Sequence, residues 1–128
     1  MKDLTLVIPA KNESESLPIV LSELKKFKLK IFIVLEKKDI QTINSIKKFN
    51  CKIIYQSNKG YGDALILGIN KVKTKFFCIF NADGSFNPNE LKKMYLKAKM
   101  RKFNLVFASR YEKNSGSEDD TFVTFFGN

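Results

Sequence analysis

The 128 residues carry 23 Lys plus Arg against 13 Asp plus Glu, a formal charge of +10, with 44% apolar residues and 12 Phe. That apolar content excludes a disordered chain, the length fits one domain that buries about two-thirds of its unfolded surface, and no run approaches the roughly 18 apolar residues of a membrane span. The charge favours phosphate-bearing partners. Arginine occurs only at Arg101 and Arg110 and the lysines are spread along helical stretches, so they read as a solvated outer face and no nucleic acid is expected. Cys51 and Cys78 sit in or beside apolar runs with no CxxC or His spacing, which predicts buried, reduced thiols. Met1-Lys2-Asp3-Leu4 shows no signal-peptide pattern, and the expected location is cytoplasmic.

Strand and helix patterns then alternate. Leu4 to Ile8, closed by Pro9, reads as a buried strand. After the polar turn Lys11 to Glu15, Leu17, Val20, Leu21, Leu24 and Phe27 recur at helical spacing. Lys30 to Leu35 reads as a second strand, Asp39 as the cap of a helix bearing Ile40, Ile43 and Ile46, and Lys52 to Tyr55 as a third strand. A helix from Gly62 to about Val72 carries Leu65, Gly68, Ile69 and Val72, and leads into a strand over Phe76 to Phe80. Asn87, Pro88 and Glu90 form a helix start for Leu91, Met94, Tyr95 and Ala98, and Leu105 to Ala108 reads as a fifth strand.

Repetition of strand, helix and strand implies an α/β fold with a mostly parallel sheet and helices on both faces. From Tyr111 the pattern breaks into a polar stretch, the acidic Glu118-Asp119-Asp120 and the apolar run Phe122 to Phe126. The division expected is therefore one α/β domain over 1–111, followed over 112–128 by a flexible acidic loop and the start of a truncated element.

In an open parallel sheet, chemistry collects at the carboxyl ends of the strands. The turns after strands one, three and four, Pro9 to Glu13, Gln56 to Gly62 (with Asn58-Lys59-Gly60-Tyr61-Gly62) and Asn81-Ala82-Asp83-Gly84-Ser85, are expected to line one crevice. Gly60 and Gly62 allow a backbone to approach a ligand at a helix start, where free N–H groups favour phosphate. Lys59 adds a point charge. Asp83, with Asn81 and Ser85 as further oxygen donors, suits Mg²⁺ or Mn²⁺ completed by substrate phosphates. Plainer roles stand beside these: Asp83 as a turn or cap residue, Glu13 as a first-turn partner of the helix dipole, Lys59 as a surface lysine, Gly60 and Gly62 as turn residues, and Arg110 as an ion-pair partner of Glu112 or the acidic cluster.

Together these segments resemble the nucleotide-sugar-binding part of family 2 glycosyltransferases, over nearly the whole chain. Leu6-Val7-Ile8-Pro9-Ala10-Lys11-Asn12-Glu13 is similar to the family's opening strand and Pro-Ala-x-Asn-Glu turn. Asn58-Lys59-Gly60-Tyr61-Gly62-Asp63-Ala64 resembles its Asn-Arg/Lys-Gly-x-Gly-x-Ala segment, and Asn81-Ala82-Asp83 stands where its metal-binding Asp-x-Asp lies. Ala108-Ser109-Arg110-Tyr111 resembles the Gly-Ser-Arg-Tyr of the dolichyl- and polyprenyl-phosphate sugar transferases. The resemblance implies a GT-A, Rossmann-like fold. It implies donor contacts from Pro9, Ala10, Asn12, Glu13, Glu36, Lys59, Gly60, Gly62, Asn81 and Ala82, and a divalent metal at Asp83, Asn81 and Ser85. Catalysis falls to Asp83 and Arg110, the latter holding a polyprenyl-phosphate acceptor at the membrane surface.

The chain departs from the family pattern twice. The acidic pair after strand two is reduced to Glu36 followed by Lys37-Lys38, and Asn81 replaces the first Asp of the metal motif, which removes one negative charge. Two other classes are therefore kept in view. One is a non-catalytic nucleotide- or phosphate-binding module. The other is a sugar nucleotidyltransferase, although that class usually opens with a Gly-rich basic loop and Pro9 to Glu13 is not one.

Overall fold

The computed structural model of the protein describes residues 1–108 and 122–123. In chain order these form β1 (Leu4–Pro9), α1 (Ser16–Leu24), β2 (Lys30–Glu36), α2 (Ile40–Ser45), β3 (Lys52–Gln56), α3 (Tyr61–Asn70), β4 (Phe76–Ile79), α4 (Pro88–Arg101), β5 (Phe107–Ala108) and β6 (Phe122–Val123). The chain divides into two compact units, Met1–Phe86 and a second that begins at Asn87. The boundary expected at 111/112 lies outside the described residues.

The first unit is built on a parallel sheet of order β3-β2-β1-β4. β1 has a neighbour on each side, and every residue from Leu4 to Ile8 is buried. A strand covered in this way reads as an unbroken apolar run. The one polar member, Thr5, bonds through its hydroxyl to that of Thr74 at 2.6 Å.

One sheet face presents Val7, Val34 and Ile54 to α3, where Ala64 completes a buried cluster and Phe32, Leu67, Ile69 and Val72 pack against it. The other face presents Leu6, Ile8, Ile33 and Leu35, all fully buried. From β1 to β3 the chain moves outward in one direction, and from β3 to β4 it returns across β1. Right-handed crossovers therefore put α1 and α2 on the face opposite α3. Helices thus lie on both faces, as expected.

Three differences from the sequence expectation have physical causes. α1 stops at Leu24 and tightens into a 3₁₀ turn over Lys25–Phe27, closed by Lys28 at φ 50°, so Phe27 leaves the helical row. On α3 the buried residues are Ala64 and Gly68, while Leu65 is only half-buried. The strand at Leu105 to Ala108 is shorter than expected and pairs antiparallel with β6 in a separate two-stranded sheet. An apolar run of four residues carries no information about which partner it takes.

In the second unit α4 begins as expected. The Asn87 side chain accepts from Asn89 N at 2.9 Å and Pro88 occupies the first turn, while Glu90 pairs with Lys93 at 3.2 Å instead of reaching back to the cap. Among the described residues no helix is long and apolar enough to cross a membrane.

Gly68 lets α3 lie close on the sheet: a Cβ there would meet Val7 Cγ1 at 2.5 Å and Val34 Cγ2 at 2.9 Å. Both neighbours are β-branched and stiff. Gly68→Ala gains up to about 1 kcal/mol of helix propensity but overpacks a dense core at a cost of about 1–3 kcal/mol, so urea unfolding is expected to show net destabilisation. Gly62→Ala, on the same helix with nothing within 4 Å of the new Cβ, is expected to leave stability unchanged or raise it.

Both cysteines are free thiols, partly buried where full burial was expected. Burial pushes the Cys78 thiol up to about 11 and moves Cys51 in the same direction. A group of that pKa is about 0.1% thiolate at pH 8. A disulfide reagent at pH 8 is therefore expected to label Cys78 orders of magnitude more slowly in the folded chain than in guanidinium; equal rates would contradict its burial.

Candidate active site

The sheet order reverses at β1, so the crevice between the carboxyl ends of β1 and β4 is the topological switch point at which such sheets bind ligands. A cavity of about 810 Å³ opens there, reached by the ends of β1, β2 and β3 and by the turn after β4. Of the expected residues, Pro9, Ala10, Asn12, Glu13, Glu36, Gly60, Asn81, Ala82 and Asp83 line it. Lys59, Gly62 and Ser85 do not, and Arg110 lies outside the described residues.

The turn after β1 is held by the start of α2. Ala10 N extends the ladder to Val34 O at 2.9 Å, and Asn12 then adopts φ 55°, a left-handed conformation that Asn tolerates better than most residues. Asn12 N donates to Asp39 Oδ2 at 2.9 Å, and Glu13 N donates to the fully buried Thr42 hydroxyl at 3.0 Å. Asp39 also caps its own helix, accepting from Thr42 N at 3.3 Å. The Glu13 carboxylate accepts from the Ser16 hydroxyl.

Each of the other turns carries its own network. After β3, the Gln56 side-chain amide donates to Asn58 O at 2.9 Å, Gly60 O at 3.2 Å and Asp63 Oδ2 at 3.3 Å. Gly60 itself has φ 104°, which a side chain would strain. After β4, Asp83 Oδ1 accepts from Ser85 N at 2.9 Å and Asn81 Nδ2 donates to Ser85 Oγ at 3.2 Å, with Gly84 at φ 77°. Ser85 thus braces the turn from which the exposed Asp83 projects. Buried Phe80 and Ala82 anchor that turn, Phe80 against the Phe86 ring at 5.5 Å.

Lysines set the charge state of Glu36. The hydrogen bond from Lys38, at 2.9 Å, is the chief cause of a pKa below the ordinary carboxylate range. Desolvation opposes the shift, and the charges of Lys38, Lys11 and Lys59 reinforce it. Glu36 stays ionised at neutral pH, and Lys59, though outside the cavity lining, acts on the site through its field.

The sequence compared with known proteins points the same way as this geometry. The family model described as Glycosyl transferase family 2 matches residues 5–126. The chain belongs to glycosyl transferase family 2. It is 28% identical over 90 residues to uncharacterized glycosyltransferases of Mycobacterium tuberculosis and Mycobacterium bovis, an alignment covering 70% of this chain and 41% of theirs. It is 26% identical over 131 residues to an uncharacterized protein of Methanocaldococcus jannaschii, covering 98% of this chain and 54% of that one. The chain therefore spans about half the length of these relatives or less. Its parallel sheet and helices accord with the Rossmann-like GT-A organisation of the family.

Among the described residues no three His, Cys, Asp or Glu side chains stand together as a metal site. Asp83 and Asn81, both lining the cavity, carry hard oxygens of the kind with which Mg²⁺ takes one or two protein ligands and completes its shell from water and substrate phosphate.

Lys11, Gln56 and Tyr61 line the cavity from the turns expected there, whereas sequence reasoning missed Asp39 as a wall residue, along with Lys38, Ile40, Gln41 and Ala64. The cap signal at Asp39 was legible, but its second bond spans 27 residues to Asn12, which local pattern cannot show. Thr42→Val keeps the shape and strands the Glu13 N–H, so a loss of about 1–3 kcal/mol is expected. Asp39→Ala should cost about 1 kcal/mol through the cap. In both variants hydrogen exchange at Asn12 and Glu13 is expected to accelerate more than at Leu6 or Val7; uniform acceleration would show that the two side chains do not hold this turn.

Proposed function

We propose that the cavity binds a nucleotide-diphosphate sugar and that this chain supplies the donor half of a metal-assisted glycosyl transfer. The observation that carries the reading is the convergence of the turns after β1, β2, β3 and β4 on one cavity at the switch point, with Asp83 exposed at its wall. Pro9, Ala10, Asn12 and Glu13 form the nucleoside side, with Glu36 near the base. Asn81 and Ala82 flank the diphosphate with Asp83. Gly60, at the start of α3, turns backbone N–H groups toward phosphate. Lys11, at the cavity wall, and Lys59, outside it, add positive potential.

In the transfer, the bond from the anomeric carbon to the diphosphate oxygen breaks, the nucleotide diphosphate leaves, and an acceptor oxygen bonds to that carbon. A divalent cation held by Asp83 and Asn81 would supply charge neutralisation at the leaving diphosphate. With Asn81 in place of a second carboxylate, this chain holds it less tightly than a paired Asp site, so donor phosphates contribute more of the binding.

For the acceptor, Ser109-Arg110-Tyr111 favours a polyprenyl phosphate, whose ionised oxygen needs no general base. That acceptor requires the cavity edge of the sheet to face the bilayer. A second reading, a donor-binding module without turnover, is favoured by Asn81, which removes one carboxylate from the metal motif.

Calorimetric titration with UDP- and GDP-sugars, with and without Mn²⁺, tests the donor site. Binding is expected to need the metal and to weaken at least tenfold in Asp83→Ala. Metal-independent binding that survives the substitution would remove Asp83 from the site, and a folded wild-type chain that binds neither donor would overturn the reading.

A further inference from the structure

The edge of the sheet opposite the cavity carries a second feature that the donor site does not use. In the first unit the chain crosses this edge at the start of β1 and at the three helix-to-strand connections, 25–30, 47–52 and 71–75. Those segments hold Lys2, Lys25, Lys26, Lys28, Lys30, Lys47, Lys48, Lys52, Lys71, Lys73 and Lys75, eleven lysines that are all exposed. The carboxylates at the same edge are Asp3 and Glu23, which leaves an excess of nine positive charges. At the cavity edge the balance reverses: Lys11, Lys37, Lys38 and Lys59 face Glu13, Glu15, Glu36, Asp39, Asp63 and Asp83.

Helix dipoles do not account for the segregation. Their effect is confined to the last turn, and the last turns of α1, α2 and α3 contain no basic residue. Lys25 and Lys26 lie in the 3₁₀ turn after α1 and Lys71 caps α3, but the other eight lie in the connections or at strand starts, outside any helix. Half-buried Phe27, Phe49, Phe76 and Phe32 sit among them, with Lys26, Lys48, Lys75 and Lys52 ammonium groups 5.0–5.5 Å from the respective ring centroids. Each pairing spreads a lysine stem over an aromatic ring and keeps the charged head at the surface.

We infer that this basal edge is a docking face for an anionic lipid bilayer. Among polyanions a bilayer fits best, because the face is made of lysine point charges with no arginine fork, and diffuse attraction to anionic headgroups needs no bidentate geometry. The inference does not rest on the donor reading. It does bear on the acceptor: β1, with six residues, is about 20 Å long, so basal docking turns the cavity toward the aqueous phase. A polyprenyl phosphate in the same bilayer needs the reverse orientation.

Flotation of the full chain with vesicles of phosphatidylcholine alone, or with 30 mol% phosphatidylglycerol, tests this. Binding is expected only to the anionic vesicles, with loss at high salt as the Debye length shrinks to about 3 Å at 1 M. Each lysine at an anionic surface is worth roughly fivefold, so the triple variant Lys30→Gln, Lys47→Gln, Lys73→Gln should weaken partitioning by about 100-fold, with an unchanged circular dichroism melt. Lys11→Gln, Lys37→Gln, Lys59→Gln at the cavity edge should leave it within about threefold. No binding to anionic vesicles, equal binding to neutral ones, or sensitivity only to the cavity-edge variant would overturn the inference, as would preferential capture of duplex DNA over vesicles.

Discussion

The position of β1 between two parallel neighbours governs the rest of the first unit. With β2 on one side, β4 on the other and both faces covered, its residues Leu4 to Ile8 are buried, and only Pro9 at its carboxyl end is partly exposed. The chain leaving it must turn where the helices on the two faces diverge, and that divergence is the cavity. The same arrangement places the turn after β4 beside the turn after β1, so residues 70 positions apart share one wall. Gly68 sets how closely the α3 layer approaches this centre, through its contact with Val7 and Val34.

A crevice alone does not make a usable wall, because turns at strand ends are mobile unless their polar groups are tied down. Here each turn is tied by a different residue: Asp39 and Thr42 hold the first, Gln56 the third, and Ser85 with Gly84 the fourth. These residues keep the backbone in a conformation it would otherwise leave, including the left-handed Asn12, so part of the ordering cost of ligand binding is met in advance. The carboxylates left facing the cavity are each engaged by a neighbouring donor, as Lys38 engages Glu36 and Ser16 engages Glu13.

The sheet and its helices were legible because β1 to β4 are short apolar runs separated by helical periodicities, each closed by a turn or cap residue such as Pro9, Asp39 or Asn87. The helix-to-strand limits moved by a few residues where a 3₁₀ turn replaced helix at Lys25–Phe27. The partner of Leu105 to Ala108 was not legible, since pairing direction depends on a segment elsewhere in the chain. The site residues that sequence supplied are those lying in turns of distinctive composition. Those it did not supply act through side chains reaching across the fold, as Asp39 does to Asn12, or lie in a loop whose lysines masked its place at the wall, as Lys38 does. Glu36 was singled out, yet its depressed pKa depends on three lysines from three separate loops, Lys38, Lys11 and Lys59.

A net +10 is usually read as a property of the whole chain, favouring phosphate in general. Once the first unit is folded, the parallel topology sorts that charge, because every strand start and helix end falls at one edge and every strand end at the other. The excess accumulates at the basal edge, while the cavity keeps a mixed field in which lysines and carboxylates are matched locally. An anionic donor arriving at the cavity therefore meets a few placed cations and oxygen donors, where selectivity comes from geometry. A surface with extended negative charge meets the basal edge, where strength comes from number. On the donor and bilayer readings proposed above, one polypeptide composition would serve two phosphate-directed tasks at opposite ends of the same strands, a separation that follows from the βαβ topology itself.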